Sequence, residues 1–441
     1  AKDRREKAPT QRTRHSTRMM LDWIYERELG WLLALQRLPW FDGRACEFFW
    51  LCVTKAGDPK WTFTVYFPLL FAIFPYRSLQ FLYAGAISEF VNGLLKWVLF
   101  GDRPYWYASA LRASLRQYAL TCETGPGSPS GHVMVTASVF YALLMCQPVA
   151  PVTKHDRPAL RVPDRFSVWL VLECLVFNSY KWKGSGETFT IWLVFGVLKR
   201  LLTIYSYVLM VLLVSISRLY IAAHFPHQIL LGIIAGLAIG RLSLSLPAHQ
   251  FRWHHPAVTC VILLSLASTI RLLLSILSVD ADWSISKASA YCERADWVHI
   301  ATRPWTALIR DAGALVGLTA ALLSAANFGG GGGETDRNVR MMDQHRTEKT
   351  AAAAANAHVL YHCSAGVVML LRIARWQRDR RLVASLCSFV VVQGIQAVLW
   401  HLPADSPLVF YCFVFVINGG SVYLVTLVVP NVIQRVFESR R

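Results

Sequence analysis

Ser217-Arg218-Leu219-Tyr220-Ile221-Ala222-Ala223-His224-Phe225-Pro226-His227-Gln228 joins two apolar runs, Ile191 to Ser217 before it and Pro226 to Leu246 after it. Each run is long enough to cross a bilayer as a helix, which takes about 20 residues. An arginine and a histidine therefore stand at a turn on one membrane face. They are six positions apart, and an unbroken helix would send them to different faces. A bend between them is expected, with Pro226 in the first turn of the following helix, where its missing N–H costs nothing.

Outward from that turn the pattern repeats. Apolar runs cover Phe48 to Phe74, broken at Gly57-Asp58-Pro59-Lys60, then Ser78 to Phe100, Pro256 to Ser278, Leu382 to Leu402 and Leu408 to Val429, and a further helix is read from Asp311 to Asn327. With 54% hydrophobic residues and a mean hydropathy of +0.37, the chain lies outside the soluble globular range. The reading is an all-α polytopic membrane protein of about nine spans. Its division runs 1–20 as a basic tail, 21–327 as a membrane core, 328–381 as a low-complexity and basic cytosolic segment, and 382–441 as terminal helices with a basic tail. Met19 and Met20 stand just before the first apolar stretch, so residues 1–18 are expected to be foreign to the native protein.

The net charge of +18 is spread over tails and short loops. It orients helices and does not form the continuous basic stripe that nucleic acid requires. Lys154, Arg157, Arg161 and Arg165 place their connection in the cytosol, so the loop carrying His132 faces the other side. Two apolar runs between Phe166 and Ser217 follow; if His132 and His224 share a site, one of the two does not span. The ten cysteines contain no CxxC pair, and most fall in apolar stretches, so neither a zinc site nor a disulfide framework is expected.

Three motifs carry the chemistry: Lys96 with Arg103-Pro104, then Pro129-Ser130-Gly131-His132, then Ser217-Arg218 with His224. Alone, an Arg-Pro is an interfacial anchor and a lone histidine a packed or capping residue. Together, at helix ends on one face, they describe a phosphate cage with two imidazoles. A phosphoryl group in transfer spreads charge over its oxygens, and fixed cations such as Lys96, Arg103 and Arg218 stabilise it without a metal. If the second helix continues to Arg103, the seven-residue step from Lys96 puts both on one side. Gly131 admits a close approach, and the Ser130 hydroxyl with the following amides can bind an oxyanion. His224 and His132 then supply a nucleophile and a proton donor. His224 and His227 are three apart, but no carboxylate or thiol accompanies them as a metal site would need. No metal or other cofactor is called for.

These motifs resemble those of the type 2 phosphatidic acid phosphatase superfamily. The longer strings Lys96 to Pro104, Cys122 to His132 and Ser217 to Gln228 resemble glucose-6-phosphatase catalytic subunits. The likeness covers residues 21–327 and, more weakly, 382–435. Gly57-Asp58-Pro59-Lys60, Asp102, and Asp282 to Ser286 leading into Cys292-Glu293-Arg294 resemble the ubiquitous isoform, as does the absence of any Asn-x-Ser/Thr sequon. The resemblance implies nine helices in the endoplasmic reticulum membrane with the site facing the lumen. It implies His224 as nucleophile forming a phosphohistidine, His132 as proton donor, and Lys96, Arg103, Ser130, Gly131 and Arg218 as phosphate binders. The implied substrates are glucose 6-phosphate and related phosphates such as 1,5-anhydroglucitol 6-phosphate, and the implied partners are membrane lipid and a glucose-6-phosphate transporter, with no nucleic acid. Much of the superfamily carries an acid four residues after the nucleophile, where this chain has Gln228; that change favours a sugar phosphatase over a lipid phosphate phosphatase. The stretch from His132 to Ser217 is longer than the family's, through an insertion near residues 174–210, which leaves a catalytically impaired membrane scaffold as a further alternative.

Overall fold

The computed structural model describes residues 11–145, 186–245, 251–329, 373, 376, 378–400 and 406–439. All of its regular structure there is helical. Helix α1 spans Gln11–Gln36 and α2 Arg44–Ala56. The break expected at Gly57-Asp58 follows, and the Asp58 carboxylate caps the next helix by accepting from the Lys60 amide. That helix, α3, runs from Pro59–Trp61 through a π-helical turn, Thr62–Tyr66, to Phe67–Phe71. Helix α4 is Pro75–Leu99, α5 the short Pro104–Ala110 and α6 Gly131–Met145. Helix α7, Gly186–Tyr220, leads back to the turn before α8, Pro226–Ser243.

Helix α9 covers His254–Ile276. The polar stretch after it contains a helix not expected from the sequence, α10, Trp283–Tyr291. Helix α11, Pro304–Gly329, begins two turns earlier than its apolar run indicated. The last helices are α12, Arg378–Trp400, and α13, Pro407–Tyr423, which continues through a π-helical turn, Leu424–Val428, into Val429–Glu438. The apolar run 166–177, the loop 152–165, most of 328–381 and residues 174–185 of the 174–210 insertion lie outside the described residues.

Five helical stretches among the described residues are long and apolar enough to cross a membrane: Arg200–Tyr220, Pro226–Ser243, His254–Ile276, Pro304–Ala326 and Pro407–Glu438. Nine spans are not confirmed. Large apolar side chains lie exposed along them, among them Leu202, Leu212, Val261 and Leu272, as expected where lipid tails take the place of water. Inside, Phe90, Leu94 and Trp97 of α4 pack with Leu308, Leu315 and Leu318 of α11. An ion pair between Glu89 of α4 and Arg310 of α11 crosses this layer.

The pairing of α6 with α8 positions the site. Gly232, Gly236 and Gly240 form a small-residue stripe on α8. A Cβ on Gly232 would meet the Ser130 carbonyl at 2.8 Å, and one on Gly240 the Ser138 carbonyl at 2.9 Å, so the backbones nearly touch. Such stripes let membrane helices approach closely. The contacts advance together along both helices, so α6 and α8 run parallel and both begin at the same face.

Candidate functional site

Sequence places the cations and imidazoles at helix ends, and the fold brings those ends together. Helix α4 does not continue to Arg103. It ends at Leu99, with Phe100 in the left-handed region at φ 49°, and Arg103 precedes α5. The same-face argument for Lys96 and Arg103 therefore fails, yet both reach Gly125. Arg103 Nε donates to the Gly125 carbonyl at 2.6 Å, and a Cβ on Gly125 would stand 3.6 Å from Lys96 Nζ. Arg103 is fully buried and also donates to the carbonyls of Ala223 (3.1 Å) and Pro126 (3.3 Å).

The bend expected between Arg218 and His224 is present. Helix α7 stops at Tyr220, and Ala222 takes a positive φ of 51°. His224 Nδ1 lies 2.7 Å from the carbonyl oxygen of Gly127. A carbonyl only accepts, so Nδ1 carries the proton and Nε2 keeps its lone pair. That Nε2 is buried without a hydrogen-bond partner. Burial, then the nearby Arg103 and Arg218 guanidinium ions, push the imidazole well below its ordinary pKa, so the ring is neutral.

Arg218 Nε and Nη1 and Ser130 Oγ are among the other buried polar atoms without a hydrogen-bond partner. Together with His224 Nε2 they supply a lone pair, two cationic donors and a hydroxyl. Ser130 gives its own amide to the Gln228 carbonyl at 3.0 Å, so its hydroxyl alone is left for a ligand. Gly131 is fixed by packing, because a Cβ there would meet Asn92 Oδ1 at 2.9 Å, and the Asn92 amide also donates to the Pro129 carbonyl at 3.1 Å.

Glu123 lies within the Cys122 to His132 string, where the sequence assigns it no role. Its carboxylate receives Arg103 Nη2 at 2.9 Å and Arg218 Nη2, and His132 Nδ1 stands 3.6 Å away. Burial raises its carboxyl pKa, but Arg218, Arg103 and His132 outweigh that and hold it well below the usual range. An acid seven residues before the Ser130-Gly131-His132 motif was the available signal. Gly127 was missed because a carbonyl leaves no mark in sequence. The Gln228 side chain accepts from the Phe225 amide and donates to the Asp102 carbonyl. His227 points away to Glu28, at 2.5 Å, a carboxylate almost two hundred positions distant in sequence.

The expectation of no disulfide is overturned. Cys122 and Cys292 are joined, with Cα atoms 5.8 Å apart and a sequence separation of 170, which no local spacing discloses. The bridge ties the Glu123 loop to the segment after α10. Thr302 reinforces that tie by accepting from the Thr124 amide at 3.3 Å.

A model of the PAP2 superfamily matches residues 77–252. The chain is 34% identical over 298 residues to glucose-6-phosphatase 3 of Bos taurus, covering 66% of this chain and 73% of that protein. It is 33% identical over 312 residues to glucose-6-phosphatase 2 of Homo sapiens, covering 69% and 78% respectively. The match to glucose-6-phosphatase catalytic subunit 1 of Felis catus is 33% over 290 residues, covering 62% and 70%. Such similar identities do not single out the ubiquitous isoform. No solved structure matches the chain.

Proposed function

From a chain that belongs to the glucose-6-phosphatase family of the PAP2 superfamily, and that is a membrane-embedded phosphoric monoester hydrolase by that kinship, we propose hydrolysis of glucose 6-phosphate and related sugar phosphates through a phosphohistidine on His224. The observation that carries the mechanism is the neutral His224 with its Nε2 buried and unpartnered, as are Arg218 Nε, Arg218 Nη1 and Ser130 Oγ.

In the first step the Nε2 lone pair forms a bond to phosphorus and the bond from phosphorus to the sugar oxygen breaks. Its electron pair goes to that oxygen, which takes a proton from His132. Lys96, Arg103, Arg218, the Ser130 hydroxyl and the backbone at Gly131 stabilise the charge on the phosphoryl oxygens. The start of α6, where amides lack helical acceptors, adds to that field. In the second step His132 takes a proton from water, the hydroxide attacks phosphorus, and the bond to Nε2 breaks, restoring both imidazoles.

The Cys122–Cys292 bridge supports an oxidising compartment for this face, in keeping with the lumen of the endoplasmic reticulum. A separate transporter would then deliver the substrate, and membrane lipid would surround the apolar helices. The test is phosphate release from glucose 6-phosphate by the full chain in lipid nanodiscs. His224→Ala should lower kcat by at least about 10⁴-fold; retained activity would remove His224 as nucleophile. Faster turnover of phosphatidate would select the lipid phosphatase reading, and no release from either would select the scaffold.

A further inference from the structure

The chain has Gln228 four residues after His224, and the structure shows that residue engaged elsewhere. The nucleophile is oriented by a carbonyl instead. Among the described residues, the carboxylate in ion-pair contact with either imidazole of the site is Glu123, and it contacts His132. Two arginines also hold this carboxylate, Arg218 on Oε1, the oxygen nearest His132, and Arg103 on Oε2. Its backbone is held independently, by the Tyr105 hydroxyl donating to the Glu123 carbonyl at 3.0 Å, by Cys122 bridged to Cys292 and by Thr124 against Thr302.

We propose that Glu123 is the positioning residue of the proton donor: it accepts from His132 Nδ1–H, so that the mobile proton rides on Nε2 and faces the leaving oxygen. The present separation of 3.6 Å is an ion-pair distance, and such contacts tighten when substrate fills a site. Burial and Arg218 outweigh Glu123 and push the His132 imidazole pKa down to about 3. The substrate's phosphate dianion brings the negative charge that lets the imidazolium form, and the carboxylate stabilises it without taking its proton, as in other His–carboxylate pairs. When the bond from phosphorus to the sugar oxygen breaks, the Nε2 proton goes to that oxygen. The Nδ1 proton stays on the ring, and Glu123 stays ionised through both steps. The arginines that hold Glu123 use one nitrogen each for it, leaving Nε and Nη1 of Arg218 for the phosphoryl group.

This assignment rests on the phosphatase reading, and the experiment separates the two. Wild type, E123Q and E123D are compared in nanodiscs on glucose 6-phosphate and on p-nitrophenyl phosphate, with inhibition by orthovanadate as a measure of the cage. A nitrophenolate leaves without a proton, whereas a sugar alkoxide needs one. E123Q should lose about 10²-fold or more in kcat/KM on glucose 6-phosphate and less than about tenfold on the nitrophenyl ester, with vanadate inhibition changed less than about tenfold. The second step still needs His132 to activate water, so E123Q should also show a burst of nitrophenol as the phosphoenzyme accumulates. E123D should recover part of the sugar-ester activity. Equal losses on both esters, accompanied by loss of vanadate inhibition, would mean that Glu123 merely holds the arginines and would overturn the proposal. If E123Q does not fold, E123D decides by the same split between esters. Wild type inert on both esters would overturn the phosphatase reading, and the proposal with it.

Discussion

At the scale of single residues, Arg103 shows why guanidinium and ammonium are not interchangeable. It satisfies the carbonyls of Gly125, Ala223 and Pro126 and the Glu123 carboxylate from one buried fork. Arg103→Lys retains the charge but cannot reach those acceptors together. It should cost about 2–4 kcal/mol of stability and at least about 10²-fold in kcat/KM, checked by thermal unfolding and turnover in the same nanodisc preparation. His224 makes a prediction about pH. Its folded pKa lies well below the ordinary 6.5, so as pH falls below about 6.5 the unfolded chain binds a proton that the folded ring refuses. Wild type should therefore lose up to about 1.4 kcal/mol more per pH unit than His224→Asn between pH 6.5 and 5, read from unfolding midpoints; parallel curves would contradict the neutral ring. Glu123 acts in a lower window, since its depressed carboxyl contributes stability that is lost only below about 4.5. Lys96, Arg103, His132, Arg218 and His224, proposed here as cage and imidazoles, are legible as motifs. Glu123, Gly127 and the Cys122–Cys292 pair are not, because their roles exist only once loops distant in sequence meet.

At the scale of elements, apolar runs located most helices to within a few residues: Ser78 to Phe100 became Pro75–Leu99, and Leu382 to Leu402 became Arg378–Trp400. The misreadings came where polarity hid a helix. Trp305, Thr306 and Arg310 mask the start of α11, and Ser284, Ser286 and Lys287 mask α10. Glycine spacing on α8 proved to be the feature that fixes the separation of α6 and α8. At Gly236 a Cβ would press on the Met134 carbonyl and come 2.8 Å from Ala137 Cβ. Gly236→Leu should force the helices apart, cost about 1–3 kcal/mol and reduce activity on sugar and nitrophenyl esters alike, because both imidazoles would be displaced. Retention of wild-type stability and turnover would show that the close contact is dispensable.

At the scale of the molecule, the face that carries the site is also the face that carries the disulfide. If that face is luminal, a membrane-impermeant maleimide should label Cys122 and Cys292 in sealed microsomes only after both permeabilisation and reduction. Labelling of reduced but unpermeabilised vesicles would put the site in the cytosol. Construction order is a second matter. The cage residues are complete once His224 has been made, but their brace comes from Cys292 and Thr302, far later in the chain. A nonsense codon placed between Gln228 and Cys292 would thus leave every reacting group encoded and most of the bundle's first half inserted, with nothing to fasten the loop that aims the acid. For this protein, inheritance of a truncated message should equal inheritance of none.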